Sequence, residues 1–277
     1  MANFRSFLVA ATIALAPCAA FAQFDQTHAA WDALLKKHVK VIDGGKASQV
    51  RYADFAKDRA ALKAYLAEVS KVTPAEFAAW PKAERMAFLV NAYNAYTVEL
   101  ILTKYPDLKS IRDLGNLVFN SPWKQKFFTL FGEPWWLDRI EHDTLRKPGL
   151  YDEPRVHYAV NCASIGCPAL REEAFVAARL ETQLEEQARR FLSDRSRNRF
   201  NPATGKLEVS EIFKWFKEDW TSGYKGLAGG APVTSREQYF ARYADLLADR
   251  PEHRRLVAEG KAPIDHPSYD WSLNDAR

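Results

Sequence analysis

One stretch limits the fold more than any other. Residues 84–104 are richly apolar, Pro81 opens the segment and Pro106 stops it, and the spacing predicts a long helix. Within it Asn91 and Asn94 stand three residues apart and so share a face. An unpaired buried amide costs about 1–3 kcal/mol, so both side chains must find partners. They either brace loops or orient a catalytic group from a rigid helix.

Around this segment most of the chain reads as helix. Apolar periodicity predicts helices over 27–41, with Trp31, Leu34, Leu35 and His38 at helical spacing, and over 59–69 and 180–192. Thr73-Pro74-Ala75-Glu76 has the form of a capping box with proline at the first helical position. Ser210 and Ser235 are further predicted caps, the first for a segment whose aromatics Phe213, Trp215 and Phe216 are expected in the core, the second with Gln238 for a helix reaching Leu247. Extended segments are expected at 50–55, 135–137 and 155–162. A hairpin is expected where 199–200 and 206–209 flank Asn201-Pro202-Ala203-Thr204-Gly205. The expected fold is α+β: a mainly helical single domain with a small, mostly antiparallel sheet built near Tyr52, Trp135, His157 and the hairpin.

The N-terminus carries the pattern of a cleaved secretory signal: Arg5, an apolar run over 7–17, and Ala20-Phe21-Ala22 before Gln23. The expectation is a signal over 1–22, a single domain over 23–277, and export to the periplasm or beyond the cell. Pro17 before Cys18 fits a lipoprotein box poorly, and no later segment approaches the roughly 18 apolar residues of a membrane span. The formal charge of +4 is small for 277 residues and mixed in sign, which argues against a nucleic-acid partner. Arg189, Arg190, Arg195, Arg197 and Arg199 form one basic cluster, expected on a solvated surface. No cofactor is expected, and the expected ligand is a small-molecule or peptide substrate.

Chemistry concentrates in Arg155-Val156-His157-Tyr158-Ala159-Val160-Asn161-Cys162-Ala163-Ser164-Ile165-Gly166-Cys167-Pro168, a run that breaks into a small-residue loop. With Cys18 removed, Cys162 and Cys167 are the two remaining thiols. Three readings of them stand. One thiol is a nucleophile, deprotonated by His157 or His142 and oriented by Asn91, Asn94 or Glu141. The pair closes a disulfide, for which five-residue separation suffices. Or a metal lies between the thiols and a histidine, although C-x4-C lies at the edge of zinc spacings and no second pair completes it. Glu141, His142 and Arg146 can lie on one helix beside a cleft, and Arg146, Asn161 and Ser164 are candidates for binding substrate.

Phe88-Leu89-Val90-Asn91-Ala92-Tyr93-Asn94-Ala95, Ile140-Glu141-His142 with Leu145-Arg146, His157-Tyr158-Ala159-Val160-Asn161-Cys162 with Cys167-Pro168, Ile212-Phe213-Lys214-Trp215, and Tyr269-Asp270-Trp271-Ser272-Leu273-Asn274 together resemble the DUF547 family. The resemblance implies a shared fold and a shared polar set at Asn91, Asn94, Glu141, His142, Arg146, His157, Cys162 and Cys167, and assigns no substrate. Two functions remain open: a thiol-dependent hydrolase or acyl transferase, or a non-catalytic binding domain whose disulfide pins a recognition loop.

Overall fold

The computed structural model describes residues 23–116 and 120–276, so the expected signal at 1–22 lies outside the described residues. The architecture is the expected mainly helical α+β. Its elements begin with α1 (Ala29–His38), the hairpin β1 (Val39–Ile42) and β2 (Ala47–Val50), α2 (Tyr52–Lys57), α3 (Arg59–Lys71), α4 (Pro74–Ala79) and α5 (Lys82–Leu102). They continue through β3 (Phe128–Leu130), β4 (Glu133–Trp135), α6 (Leu137–Ile140), α7 (Val156–Ala159), α8 (Leu180–Leu192), β5 (Arg199–Asn201), β6 (Lys206–Glu208) and α9 (Ile212–Trp215). The last are α10 (Arg236–Ala241), α11 (Ala244–Leu247), α12 (Pro251–Ala258) and β7 (Ile264–Asp265).

α5 is the predicted long helix, and every side chain from Met86 to Val98 is buried. A helix apolar on all faces must be enclosed on all faces. α1 and α3 pack with it in a first hydrophobic cluster that includes Trp31, Leu62, Phe88 and Ile101. A second cluster gathers the end of α8 with α9 to α12 and includes Phe191, Phe213, Trp220 and Phe240. α7 joins the two, with Val156 and Ala159 in the first cluster and Tyr158 in the second.

The strands form three small sheets where one was expected. β1–β2 and β3–β4 are antiparallel pairs, while β6 pairs antiparallel with β5 and parallel with β7. β3 and β4 meet through Phe131 (φ 55°) and Gly132 (φ 78°), whose positive φ values match the twist of a tight two-residue hairpin. Two expected strand segments are helical. Tyr52 opens α2 and His157 lies in α7, because burial of Tyr52 and Phe55 on one side and of Val156 to Ala159 on all sides overrides their β-rich composition. The predicted first helix also stops at His38, where Val39 enters the hairpin. Trp215, expected in the core, is 41% exposed.

Local rules hold elsewhere. Thr73 accepts a hydrogen bond from the Glu76 amide, with Pro74 in the first turn, Ser235 accepts from the Gln238 amide, and the predicted helix over 180–192 is α8. The arginine cluster is neutralised pair by pair: Arg190 with Glu172, Arg195 with Asp249, Arg197 with Asp194, Arg199 with Glu208, and Arg189 near Asp245. Among the described residues no helix is long and apolar enough to cross a membrane.

Asn91 is a loop clamp. Its Nδ2 donates to the Phe175 carbonyl at 2.7 Å and its Oδ1 accepts from the Phe175 amide at 3.0 Å, with the side chain fully buried. Asn91→Leu conserves volume but strands both backbone groups, so it is expected to lower the free energy of unfolding by about 2–4 kcal/mol, measured by urea titration. His28 supplies a second check. Burial lowers its pKa from 6.5 to about 4, against the pull of Asp25. The fold therefore holds the neutral ring: its contribution is full above pH 6.5 and lost as pH falls toward 4, on the order of 3 kcal/mol. Unfolding free energies across pH 7 to 4 should show that loss, and His28→Gln should flatten it.

Candidate functional site

A cleft of about 250 Å³ opens where the two clusters meet, lined by Tyr93, Trp123, Asp138, Glu141, His142, His157, Val160, Cys162, Cys167, Pro168, Ile212, Trp215, Phe216, Tyr269 and Trp271. Each wall has a local reason. After α6 the backbone continues as a wider π turn over Glu141–Leu145, which sets Glu141 inward against α5. Trp136 begins α6 without a side-chain cap. α7 presents His157, and the chain beyond it is held by Asn94, whose Nδ2 donates to the Ala159 carbonyl at 2.9 Å and whose Oδ1 accepts from the Asn161 amide at 2.8 Å.

The centre of the polar floor is Asp219, which the sequence did not single out. His157 Nε2 donates to its Oδ2 at 2.6 Å, and Arg146 Nε donates to the same oxygen at 2.6 Å. Burial alone would raise the Asp219 carboxyl, yet the hydrogen bonds from His157 and Arg146 outweigh it and hold the group below its usual range. Burial also lowers His157, against the pull of Asp219 and Glu141, so the ring favours its neutral form. Arg146 meets His142 Nδ1 at 2.7 Å. A guanidinium only donates, so that nitrogen accepts, and the His142 proton lies on Nε2, 3.6 Å from Asp138 Oδ1. Phe216 is the shelf beneath the assembly: His157 stacks on it at 4.5 Å and the Arg146 guanidinium lies 4.4 Å from its centroid.

Glu141 is buried, and desolvation raises its pKa despite the favourable charges of His157 and Arg146 and a hydrogen bond with Tyr93. A cleft carboxyl whose pKa is raised holds its proton more tightly than an exposed one, which suits it to donating that proton. Burial likewise raises Asp138.

Cys162 and Cys167 form a disulfide, with Cα atoms 6.3 Å apart. Cys167 Sγ accepts from the Cys162 amide at 3.0 Å and from the Tyr269 hydroxyl at 3.2 Å. Ser164 Oγ donates to the Tyr269 oxygen at 3.0 Å, so the two hydroxyls form a relay ending on sulfur. The loop is tightly built. Ala163 occupies the left-handed region (φ 59°), at a cost of roughly 1–2 kcal/mol for a residue with a Cβ. It is held there by Asn161 Oδ1, which accepts from its amide at 2.9 Å, and by the Asn274 amide on its carbonyl at 3.2 Å. Gly166 admits the Tyr269 ring, which a Cβ would meet at 2.8 Å. The C-terminal tail docks on this loop: the Ile165 and Gly166 amides donate to the Ser272 and Asp270 carbonyls at 2.8 Å each.

The structure thus brings Glu141, His142, His157, Cys162 and Cys167 to one cleft, sets Arg146 behind it on Asp219 and His142, and assigns Asn91, Asn94 and Asn161 to holding backbone. Asn161 is buried and donates to the Pro168 carbonyl at 2.8 Å. Ser164 is also buried, behind the sulfurs. Expected alternation on a strand, which put His157 and Asn161 on one face, is replaced by the turn of α7. Asp219, Tyr269 and Phe216 are the residues that spacing could not find, because their partners lie 59 to 107 positions away. Among the described residues no cluster of three or more His, Cys, Asp or Glu side chains could hold a metal ion.

Asp219→Asn removes the charge that raises His157, so the His157 titration midpoint, already below 6.5, is expected to fall further. Imidazole NMR titration of both forms measures it.

Comparison with known proteins returned no match among curated proteins and none among solved structures. One family model matches, over a span that carries Asn91, Asn94, Glu141, His142, Arg146, His157 and both cleft cysteines, while Asp219, Phe216, Tyr269 and Trp271 lie beyond it. Over residues 77–192 this chain matches the family described as "Protein of unknown function, DUF547".

Proposed function

We propose that the cleft is the site of a thiol-dependent acyl transfer or hydrolysis, active in the dithiol form, with Cys167 as nucleophile and Glu141 as general acid. One observation carries this reading: the Cys167 sulfur, met by an amide and a relayed hydroxyl, shares a cleft with a buried carboxyl of raised pKa. Donors that approach a disulfide sulfur would stabilise the corresponding thiolate and lower the thiol pKa.

The chemistry runs as follows. An external dithiol supplies two electrons and two protons, opens the disulfide and leaves as its own disulfide. Cys167 yields its thiol proton to solvent and the thiolate Sγ attacks a carbonyl carbon; the carbon–sulfur bond forms, and the bond to the leaving group breaks as Glu141 passes it a proton. Water, deprotonated by the Glu141 carboxylate, releases the acyl group and restores both side chains. The His157–Asp219–Arg146 assembly fixes the floor and keeps His157 from competing for the thiol proton, a departure from the imidazole-activated thiol expected from the sequence. The closed disulfide fits the exported, oxidising setting expected from residues 1–22.

A second reading, a non-catalytic recognition domain, is favoured by the disulfide itself, which closes the loop. Alkylation separates the two. The native protein is expected to resist iodoacetamide until treated with dithiothreitol. Cys167 should then react faster than Cys162, with a rate midpoint below the ordinary thiol value of about 8.5, and Tyr269→Phe should raise that midpoint. Equal, slow labelling of both thiols with a midpoint at or above ~8.5, and ester hydrolysis indifferent to Cys167→Ser, would establish the recognition domain instead.

A further inference from the structure

The mouth of the cleft carries a feature that acyl transfer does not use. Trp215 is 41% exposed, one of few large apolar side chains left open to water. It stacks on Trp271 (centroids 5.6 Å, 21°) and meets Tyr269 at 4.9 Å, while Tyr269 meets Trp271 at 4.6 Å. Trp123 buttresses Trp271 edge-on at 5.8 Å, and the Arg112 guanidinium lies 5.3 Å from the Trp271 ring. These rings form a continuous wall fixed in advance by their contacts with one another, so a ligand would not have to order them. The same cleft contains Asp138, Glu141 and His142.

We propose that the cleft binds an uncharged pyranose ring, one face stacked on the Trp215–Tyr269–Trp271 wall and its hydroxyls turned to Asp138, Glu141 and His142. The proposal rests on the cleft being a substrate site and names the substrate class: an acyl group borne on a sugar, as ester or amide.

Four observations select this class. The volume of about 250 Å³ lies below the roughly 300–1,000 Å³ of pockets for drug-sized ligands, which suits a single ring. Anionic ligands are disfavoured, because the charged lining side chains of the cleft are the carboxyls Asp138 and Glu141, while the Arg146 guanidinium behind them is already engaged by Asp219 and His142. A wholly apolar ring would leave the carboxyls and the His142 Nε2–H desolvated without partners. A cation would be better held by rings standing apart around a void, whereas these lie against each other and Trp271 already faces Arg112. A pyranose offers one C–H face to the wall and polar edges to the carboxyls.

The test uses the oxidised protein, so its outcome does not depend on the thiol reading. Chitotriose, cellotriose and maltotriose are titrated while tryptophan fluorescence is followed, with binding heats measured by calorimetry. At least one trisaccharide is expected to give a saturable change at millimolar concentration or below. Trp215→Ala, at an exposed position and checked by circular dichroism, is expected to weaken it by about tenfold or more. Trp136→Ala, outside the cleft, should leave it unchanged. Absence of saturable binding by all three sugars, equal binding by Trp215→Ala, or tighter binding of benzyltrimethylammonium than of any sugar would overturn the proposal. Saccharide binding without Cys167 reactivity would retain the ligand class and remove the thiol chemistry; the converse would do the reverse.

Discussion

Asp219 is the contact on which the cleft depends. Its carboxylate takes one hydrogen bond from His157 and one from Arg146, each 2.6 Å, and so ties segments packed in the first hydrophobic cluster to one packed in the second. A buried carboxylate deprived of a partner costs about 3–5 kcal/mol, which makes the arrangement hard to loosen by halves. Phe216, three residues earlier, adds an apolar shelf under both donors. One short segment therefore fixes the orientation of an imidazole, a guanidinium and, through Arg146, the tautomer of His142.

The opposite wall is organised by a different device. The disulfide loop is shaped by the Asn94 and Asn161 side-chain oxygens, which accept from the Asn161 and Ala163 amides, by the Asn274 backbone amide, which donates to the Ala163 carbonyl, and by the tail that lays Tyr269 over Gly166. Amides can donate and accept at once, which is why asparagine suits positions where two backbone groups of opposite polarity need satisfying. The site is thus a pocket where two hydrophobic clusters meet, lined by acid–base groups and by the sulfurs of the disulfide loop.

Much of this was legible in advance. The apolar run over 84–104, the capping signal at Thr73, the amphipathic period of 180–192 and the turn at Asn201–Gly205 each act within a few residues, and each produced the expected element, whereas the helix capped by Ser235 stops at Ala241 and a second one, α11, reaches Leu247. The pairing of Cys162 with Cys167 was one of three open readings, and five-residue separation made it geometrically easy. The failures share a cause. Tyr52-Ala53-Asp54-Phe55 and Arg155-Val156-His157-Tyr158 carry β-favouring residues, yet the first buries Tyr52 and Phe55 on one helical side and the second is buried on several sides, and Trp215 has the helical spacing of a core residue at a place where the core ends.

The sequence by itself determined the helical class, the buried central helix and the loop in which the sulfurs lie, because these follow from periodicity, chirality and local hydrogen bonding; that Asn91 and Asn94 clamp backbone was decided by the fold, since their partners are distant in the chain. Tertiary structure alone decided which acid serves His157, which tyrosine reaches Cys167 and which tryptophans face water. Asp219 and Glu218 are indistinguishable as neighbours in a chain. They differ only once packing buries one beside a guanidinium 73 positions away and leaves the other in solvent.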